Sequence, residues 1–273
     1  MPNKFNIGDI EVLALSDGTA NVPGTMYFAG TTKEQWEKHS RWQDHAGNIE
    51  FQFASFVIRT GGEQVLIDTG LGNVQFGPMK GGALLGEMAS SGIKPEDIDV
   101  VFLTHLHFDH AGACARDGQP VFPNATYRWS SAENDFWANT GNPNDPTRTL
   151  FSQKDMIAAI GPKFEATDDG VTIAPGVNVI ATPGHTPGHA SVIVSSGQER
   201  AFILGDVMAC PAQLEETEWS GMGDMDPALA RRTQEAVAKE AESSGALLTA
   251  AHFPGLTFGR VLRGEGKRYW APV

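Results

Sequence analysis

The segment Thr104-His-Leu-His-Phe-Asp-His-Ala-Gly112 places three of the chain's 8 histidines and an aspartate within six positions. It follows directly on the apolar run Val100-Val101-Phe102-Leu103. Burying that many polar side chains beside a core strand is costly unless something pairs with them. In an extended segment His105, His107 and Asp109 share one face, because strand side chains alternate with period two. His110 must then point elsewhere as the chain turns. One loop of this kind can serve two neighbouring metal ions, His105 and His107 facing one and Asp109 and His110 the other. The small residues Ala111-Gly112-Ala113 allow close backbone packing and suit a helix start.

Three further segments offer ligands where an apolar run ends. Thr182-Pro-Gly-His-Thr-Pro-Gly-His189 follows Val177–Ala181, and its two Pro-Gly pairs make a rigid loop that presents His185. His189 reads as a residue that orients a ligand or packs beneath it. Ile203-Leu-Gly-Asp206 ends a buried-looking strand in a carboxylate, which serves either as a cap or as a metal ligand. Leu247-Leu-Thr-Ala-Ala-His252 places a histidine after another apolar run, where a structural role competes with ligation. Asp68, in Val65-Leu-Ile-Asp-Thr-Gly70, reads by itself as a turn cap before Gly70.

The rest of the chain sets the frame. Short Val-, Ile- and Phe-rich runs recur at Ile10–Leu15, Phe51–Arg59, Gln64–Ile67, Val100–Leu103, Ala125–Trp129, Val177–Ala181, Ala190–Val194 and Ala201–Leu204. Asn48–Thr60 with Glu63–Asp68, and Ala190–Val194 with Ala201–Leu204, read as hairpins. Helices are expected over Thr31–His45, Gly82–Ser91, Ser130–Ala138, Thr147–Ile160 and Asp226–Ser243, the last capped by Asp226 with Pro227 in its first turn. Ser130 and Glu133 have capping-box spacing. Strands interrupted by helices in both halves predict a layered α/β fold. The chain, residues 1–273, is expected to form one domain, with residues 17–50 as an N-terminal arm.

Thirty-three acids against 20 bases give a net charge of −13. That balance argues against nucleic acid as a partner, since phosphate binding needs Lys and Arg to displace counterions. No segment reaches the roughly 18 uncharged apolar residues of a membrane span. The N-terminus lacks the basic start and apolar stretch of a signal peptide. Two cysteines, Cys114 and Cys210, cannot build a disulfide framework, and buried free thiols in a reducing compartment are the simpler reading. A cytoplasmic protein acting on a small molecule is therefore expected. There is also no G-x-S-x-G elbow for serine chemistry.

Taken together, HxHxDH, GH, GD and a distal AH, in this order and each after a strand, resemble the metallo-β-lactamase superfamily. The resemblance runs from about Phe51 to His252. It implies a four-layer αββα sandwich with a di-metal site at the edge of the paired sheets. His105, His107 and His185 would hold one ion, and Asp109, His110 and His252 the other. Asp206 would bridge them, with Asp68 close by as the family's early aspartate, placed to orient a ligand imidazole through its free N–H. Imidazole and carboxylate ligands without thiolate suit two zinc ions, with manganese, iron or cobalt as alternatives. Such a pair, about 3.5–4 Å apart, lowers the pKa of a shared water toward neutrality and makes it a nucleophile. Asp109, beside that nucleophile, is the candidate to pass a proton to the leaving group.

Departures from other branches narrow the resemblance. The β-lactamase branches lack an aspartate bridge where this chain has Asp206. The RNA-processing branch carries a basic attachment, and the flavin-linked di-iron branch has a Glu in place of His107. Glyoxalase-II-like thioester hydrolases carry a longer helical C-terminal domain. Lactonases and related organophosphate hydrolases remain, matching Asp206-Val-Met-Ala-Cys-Pro-Ala-Gln213, Asp226-Pro227 and His252-Phe-Pro-Gly-Leu256. Acyl-homoserine lactonases carry a tyrosine three residues after the bridge, where this chain has Ala209. That tilts the likeness toward the methyl-parathion-hydrolase-like subgroup, with lactones, aryl esters or phosphotriesters as substrates and a homodimer suggested. Met26, Phe28 and Trp36 of the arm, near Tyr27, either wall the substrate pocket or only anchor the arm.

Overall fold

The hydrophobic alternation of the strands decides the layering. In Ile10–Pro23, Val12 and Ala14 face one way while Leu13 and Leu15 face the other. The same split separates Val65 and Ile67 from Leu66, and Val100 and Phe102 from Val101. A strand that is apolar on both faces must be covered on both. A computed structural model, describing residues 3–143, 147 and 149–273, shows how that is met.

Two sheets face each other. The larger one runs in the order Phe164–Ala166, Thr126–Trp129, Val100–Phe102, Glu63–Ile67, Asn48–Thr60, Ile10–Pro23, Met79–Lys80 and Gln75–Phe76, with Asn3–Ile7 also on Ile10–Pro23. The other orders Thr172–Ala174, Val177–Ala181, Ala190–Ser196, Glu199–Ile203, Leu247–Thr249, Gly259–Gly264 and Lys267–Pro272. Between them lies a core of Val12, Phe56, Ile67 and Phe102 against Val179, Val192, Val194 and Ile203. Outside the first sheet, Leu84, Met88, Met156 and Ile160 of two helices cover Leu13, Leu66 and Val101. Outside the second, Val237, Ala238 and Ala241 of the helix Pro227–Ser244 cover Phe202 and Leu248. This is the αββα sandwich that the resemblance implied.

Both expected hairpins form, Asn48–Thr60 with Glu63–Ile67 and Ala190–Ser196 with Glu199–Ile203. The helix Pro227–Ser244 is capped by Asp226 Oδ1, which accepts from Leu229 N at 2.9 Å, and ends at left-handed Gly245.

Elsewhere the boundaries shift for identifiable reasons. Ser16-Asp17-Gly18 reads as the end of a strand, but it is a bulge, and the strand continues to Pro23 paired with Asn48–Thr60. Asp17 is buried and accepts from the backbone N–H groups of Gly72, Gly82 and Leu84. Gly18 lies so close to the neighbouring chain that a Cβ would sit 1.8 Å from Lys80 O. The expected arm of residues 17–50 thereby reduces to an excursion over residues 24–47. Its helix is Lys33–Glu37 rather than Thr31–His45, with Thr32 and Gln35 in a capping box. Buried His39 then turns inward against Trp36 and Trp219. The other helices shorten to Leu84–Ser90, Ser131–Asp135 (continued by a π-turn over Phe136–Thr140) and Gln153–Ile160. Residue 148, in the expected Thr147–Ile160 helix, lies outside the described residues. No helix among them is long and apolar enough to cross a membrane.

Candidate metal centre

Parallel strands that end side by side bring their following loops together. Glu63–Ile67 and Val100–Phe102 are such a pair. The first continues into Asp68 and the second into Thr104 and the histidine loop. Asp68 N donates to Phe102 O at 2.9 Å, and Thr104 N donates to Asp68 Oδ1 at 2.8 Å. Asp68 adopts a left-handed backbone with φ 57°, a conformation that costs a non-glycine residue roughly 1–3 kcal/mol. The hydrogen bonds made by its carboxylate hold it there. In the second sheet Val177–Ala181, Glu199–Ile203 and Leu247–Thr249 run in one direction. The loops after them carry His185, Asp206 and His252 to the same edge.

Seven expected ligands meet there. Donor atoms of His105, His107 and His185 lie within 4.8 Å of one another, as do those of Asp109, His110 and His252, and those of His105, His110 and Asp206. His107 Nδ1 lies 3.0 Å from His105 Nε2 and 2.9 Å from His185 Nε2. Asp206 divides its oxygens between the two groups. Its Oδ2 is 3.2 Å from His185 Nε2, while Oδ1 is 3.1 Å from His110 Nε2 and 3.3 Å from His252 Nε2.

The outward nitrogens select the tautomers. His110 Nδ1 donates to Asp68 Oδ2 at 2.9 Å, His185 Nδ1 to Asp224 Oδ1 at 3.0 Å, and His252 Nδ1 to Gln52 O at 2.7 Å. His105 Nδ1 donates to Thr104 Oγ1 at 3.1 Å, and that hydroxyl donates on to Asp68. Each of these four rings therefore turns a lone pair inward, as a metal-ligating imidazole does. His110 Nε2 and Asp206 Oδ1 are buried without a hydrogen-bond partner among the described residues. Orphaned atoms of this kind are expensive in a dry interior unless an ion satisfies them. The donor set fits a pair of divalent ions.

Electrostatics divides the cluster in the same way. Burial, together with the neighbouring imidazoles, pushes His105 and His107 well below the ordinary histidine value. Burial also opposes charge on His110, His185 and His252, but Asp206 and the other carboxylates beside them raise all three overall. Burial disfavours charge on Asp206 too, yet His252, His110 and His185 hold its carboxyl well below the usual range. Positive charge is thus demanded around Asp206, which is what cations would bring.

Of the other residues singled out in the sequence, Asp68 and His189 contact expected ligands. Asp68 meets the expected ligands through His110 directly and through Thr104, which hydrogen-bonds His105. His189 accepts from Asp206 N at 2.9 Å through Nε2, and its Nδ1 donates to Thr182. Burial first, then His185, brings its pKa down to about 3, so it stays neutral. Phe28 and Trp36 are buried against Trp219, while Met26 is exposed. Cys114 and Cys210 are buried free thiols, each pushed up to about 12 by burial.

Two residues escape a sequence reading. Asp224, between Gly223 and Met225, carries no local signal; only the fold brings it to His185. Glu133 reads as a helix-cap partner. Ser130 Oγ does accept from Glu133 N at 3.1 Å, but the Glu133 carboxylate turns inward to the histidine loops. Tyr27 sits 4.5 Å from the Phe51 ring, which meets His252 edge-on at 5.1 Å.

Known proteins repeat this arrangement of chain. The model of the metallo-beta-lactamase superfamily matches residues 50–252, from within the strand Asn48–Thr60 through the last expected ligand. The chain belongs to that superfamily. Among curated relatives, an N-acyl homoserine lactonase of Bacillus cereus is 26% identical over 168 residues, covering 55% of this chain and 60% of that one. The lactonase AttM of Azorhizobium caulinodans is 29% identical over 127 residues, 44% of each chain. The chain thus spans about half the length of the curated relatives it matches. Solved structures of the superfamily match throughout. AidC, a dizinc quorum-quenching lactonase in complex with a product, has a TM-score of 0.89 at 24% identity, covering 100% of this chain and 97% of that one. The hydrolase AbOPH of the beta-lactamase superfamily has a TM-score of 0.87 at 27% identity, with the same coverage.

Proposed function

We propose that this protein is a di-metal hydrolase that opens lactones, N-acyl-homoserine lactones among them, or related esters. The carrying observation is Asp206, whose two oxygens point to separate sets of imidazoles. One ion is assigned to His105, His107 and His185, the other to Asp109, His110 and His252, with Asp206 shared. The donor chemistry suits zinc best. Bound ions of this kind supply Lewis acidity and a hydroxide nucleophile at neutral pH. The lactonase names of the curated relatives support the substrate class.

The chain's own groups supply the rest. Asp109 Oδ2 is 3.5 Å from His252 Nε2, and its side chain is more exposed than those of Asp206 and His110. It is the carboxylate that reaches a substrate and carries a proton to the leaving oxygen. Asp109→Asn with full metal content and near-normal turnover would remove that role. Tyr27 carries the arm to the Phe51 ring, which packs on His252. Burial first, then Asp206, Asp224 and Asp109, raise its phenol well above the ordinary value, so it remains a hydrogen-bond donor. Phe28 and Trp36 fasten the arm, and Tyr27 with Phe51 forms the wall.

A second reading, hydrolysis of aryl esters or organophosphate triesters, is favoured by Ala209. A small buried residue stands where acyl-homoserine lactonases carry their tyrosine. Metal analysis followed by a panel of acyl-homoserine lactones, simple lactones, aryl esters and paraoxon-type triesters separates the two. Protein holding two ions per chain but inactive on every class would sink both.

A further inference from the structure

We propose that Glu133 is the positioning residue that sets the geometry of the first ion's three histidines. This inference rests on the two-ion reading of the site. Glu133 is fully buried at the start of the helix Ser131–Asp135, with four hydrogen-bond donors around it. Its Oε1 accepts from Leu106 N at 2.9 Å and from Trp137 Nε1 at 2.6 Å. Its Oε2 accepts from Thr186 Oγ1 at 2.7 Å and from Gly188 N at 3.1 Å.

Those donors are placed where they matter. Leu106 is the residue between His105 and His107. Thr186 adjoins His185, and Gly188 adjoins His189, which in turn accepts from Asp206 N. The Trp137 ring stands edge-on to His107 at 5.7 Å. One carboxylate thus ties together the two loops whose imidazoles must converge, loops that lie about eighty residues apart in sequence. The junction is close-packed as well. Ser130 Oγ donates to Gly188 O at 2.6 Å, and a Cβ on Gly188 would lie 2.1 Å from Glu133 N. Burial alone pushes the carboxyl upward, and the four donors oppose it. Its accepting capacity is spent on loop geometry.

The isosteric amide cannot do this. Glutamine at 133 has one accepting oxygen, so its NH2 must face two donors whichever way it is flipped. The His105–His107 loop and the His185 loop then lose their common tie. The second group, Asp109, His110 and His252, is held instead by Asp68 and Gln52. The expected defect is therefore confined to one ion. Removing a residue that orients ligands typically costs about 10–100-fold in metal affinity.

The test compares zinc affinity and stoichiometry, and the absorption spectrum of the cobalt-loaded protein, for wild type, Glu133→Gln and Glu133→Asp. Glu133→Gln should retain one ion at wild-type affinity, bind the other about 10–100-fold more weakly, and show an altered cobalt spectrum. Raised metal concentration should restore kcat, with KM unchanged. Glu133→Asp, which keeps the charge on a shorter arm, should fall between the two. Wild-type affinity for both ions with an unchanged spectrum overturns the proposal, and so does equal weakening of both ions. Should Glu133→Gln fail to fold, Thr186→Val removes a single donor at constant volume, and an unaltered affinity for both ions there overturns it too. A wild-type protein binding fewer than two ions would instead count against the di-metal reading itself.

Discussion

His185 shows how much a proposed ligand depends on a residue it does not adjoin in sequence. Its Nδ1 proton goes to Asp224, and Asp224 in turn accepts from Gly221 N at 2.8 Å, which fixes the loop it sits on. Without that acceptor the ring is free to rotate and to present either nitrogen. Asp224→Ala should weaken binding of the ion assigned to His105, His107 and His185 by about 10–100-fold, measured by chelator competition. Unchanged affinity would mean that the loop alone orients the ring. The seven proposed ligands were legible as candidates because each is a His or Asp standing just past an apolar run. Asp224 and Glu133 were not, because an aspartate between glycine and methionine, or a glutamate at a helix's third position, has an ordinary local explanation.

At the scale of elements, the excursion over residues 24–47 differs most from its sequence reading. Its aromatic residues divide their work. Phe28, Trp36 and Trp219 pack against one another, whereas Tyr27 lies over Phe51 beside the metal-ligand edge. Tyr27→Phe keeps the ring and removes only the hydroxyl. It should leave thermal stability near wild type and lower kcat/KM by about tenfold, the worth of one hydrogen bond to a charged group. Steady-state kinetics on the best substrate of the panel measure this, and an unchanged kcat/KM would reduce Tyr27 to packing. The strand Ile10–Pro23 was read too short for a related reason. Ser-Asp-Gly is a turn signal in isolation. Here the donors that satisfy Asp17 come from Gly72, Gly82 and Leu84, far along the chain, and the bulge they support lets the strand continue.

For the molecule as a whole, the buried cluster predicts how stability responds to acid. His189 titrates near 3 when folded, against 6.5 as a free side chain. Between those values the unfolded chain binds a proton that the folded one excludes. Its contribution to stability is fully present above pH 6.5 and is lost as pH falls through that window toward 3. Between neutral pH and about pH 5 the denaturation midpoint of metal-free protein should therefore fall relative to that of His189→Gln, as urea titrations would show. An equal drop in both proteins would place the acid sensitivity elsewhere.

The division between what sequence and tertiary structure decide follows from the range of the forces involved. Period-two alternation and turn residues act over a few positions, so strand faces, both hairpins and the layered class could be read from the chain directly. The residues that converge as candidate ligands could be read as well, since HxHxDH, GH, GD and AH each stand at the end of a strand. What the fold alone decided are the contacts made across long separations: Glu133 joining two loops, Asp224 holding His185, Asp206 dividing its oxygens, and Tyr27 meeting Phe51. A hydrogen bond between distant segments leaves no periodicity in the sequence, because its partners become neighbours only when the sheets and helices have packed.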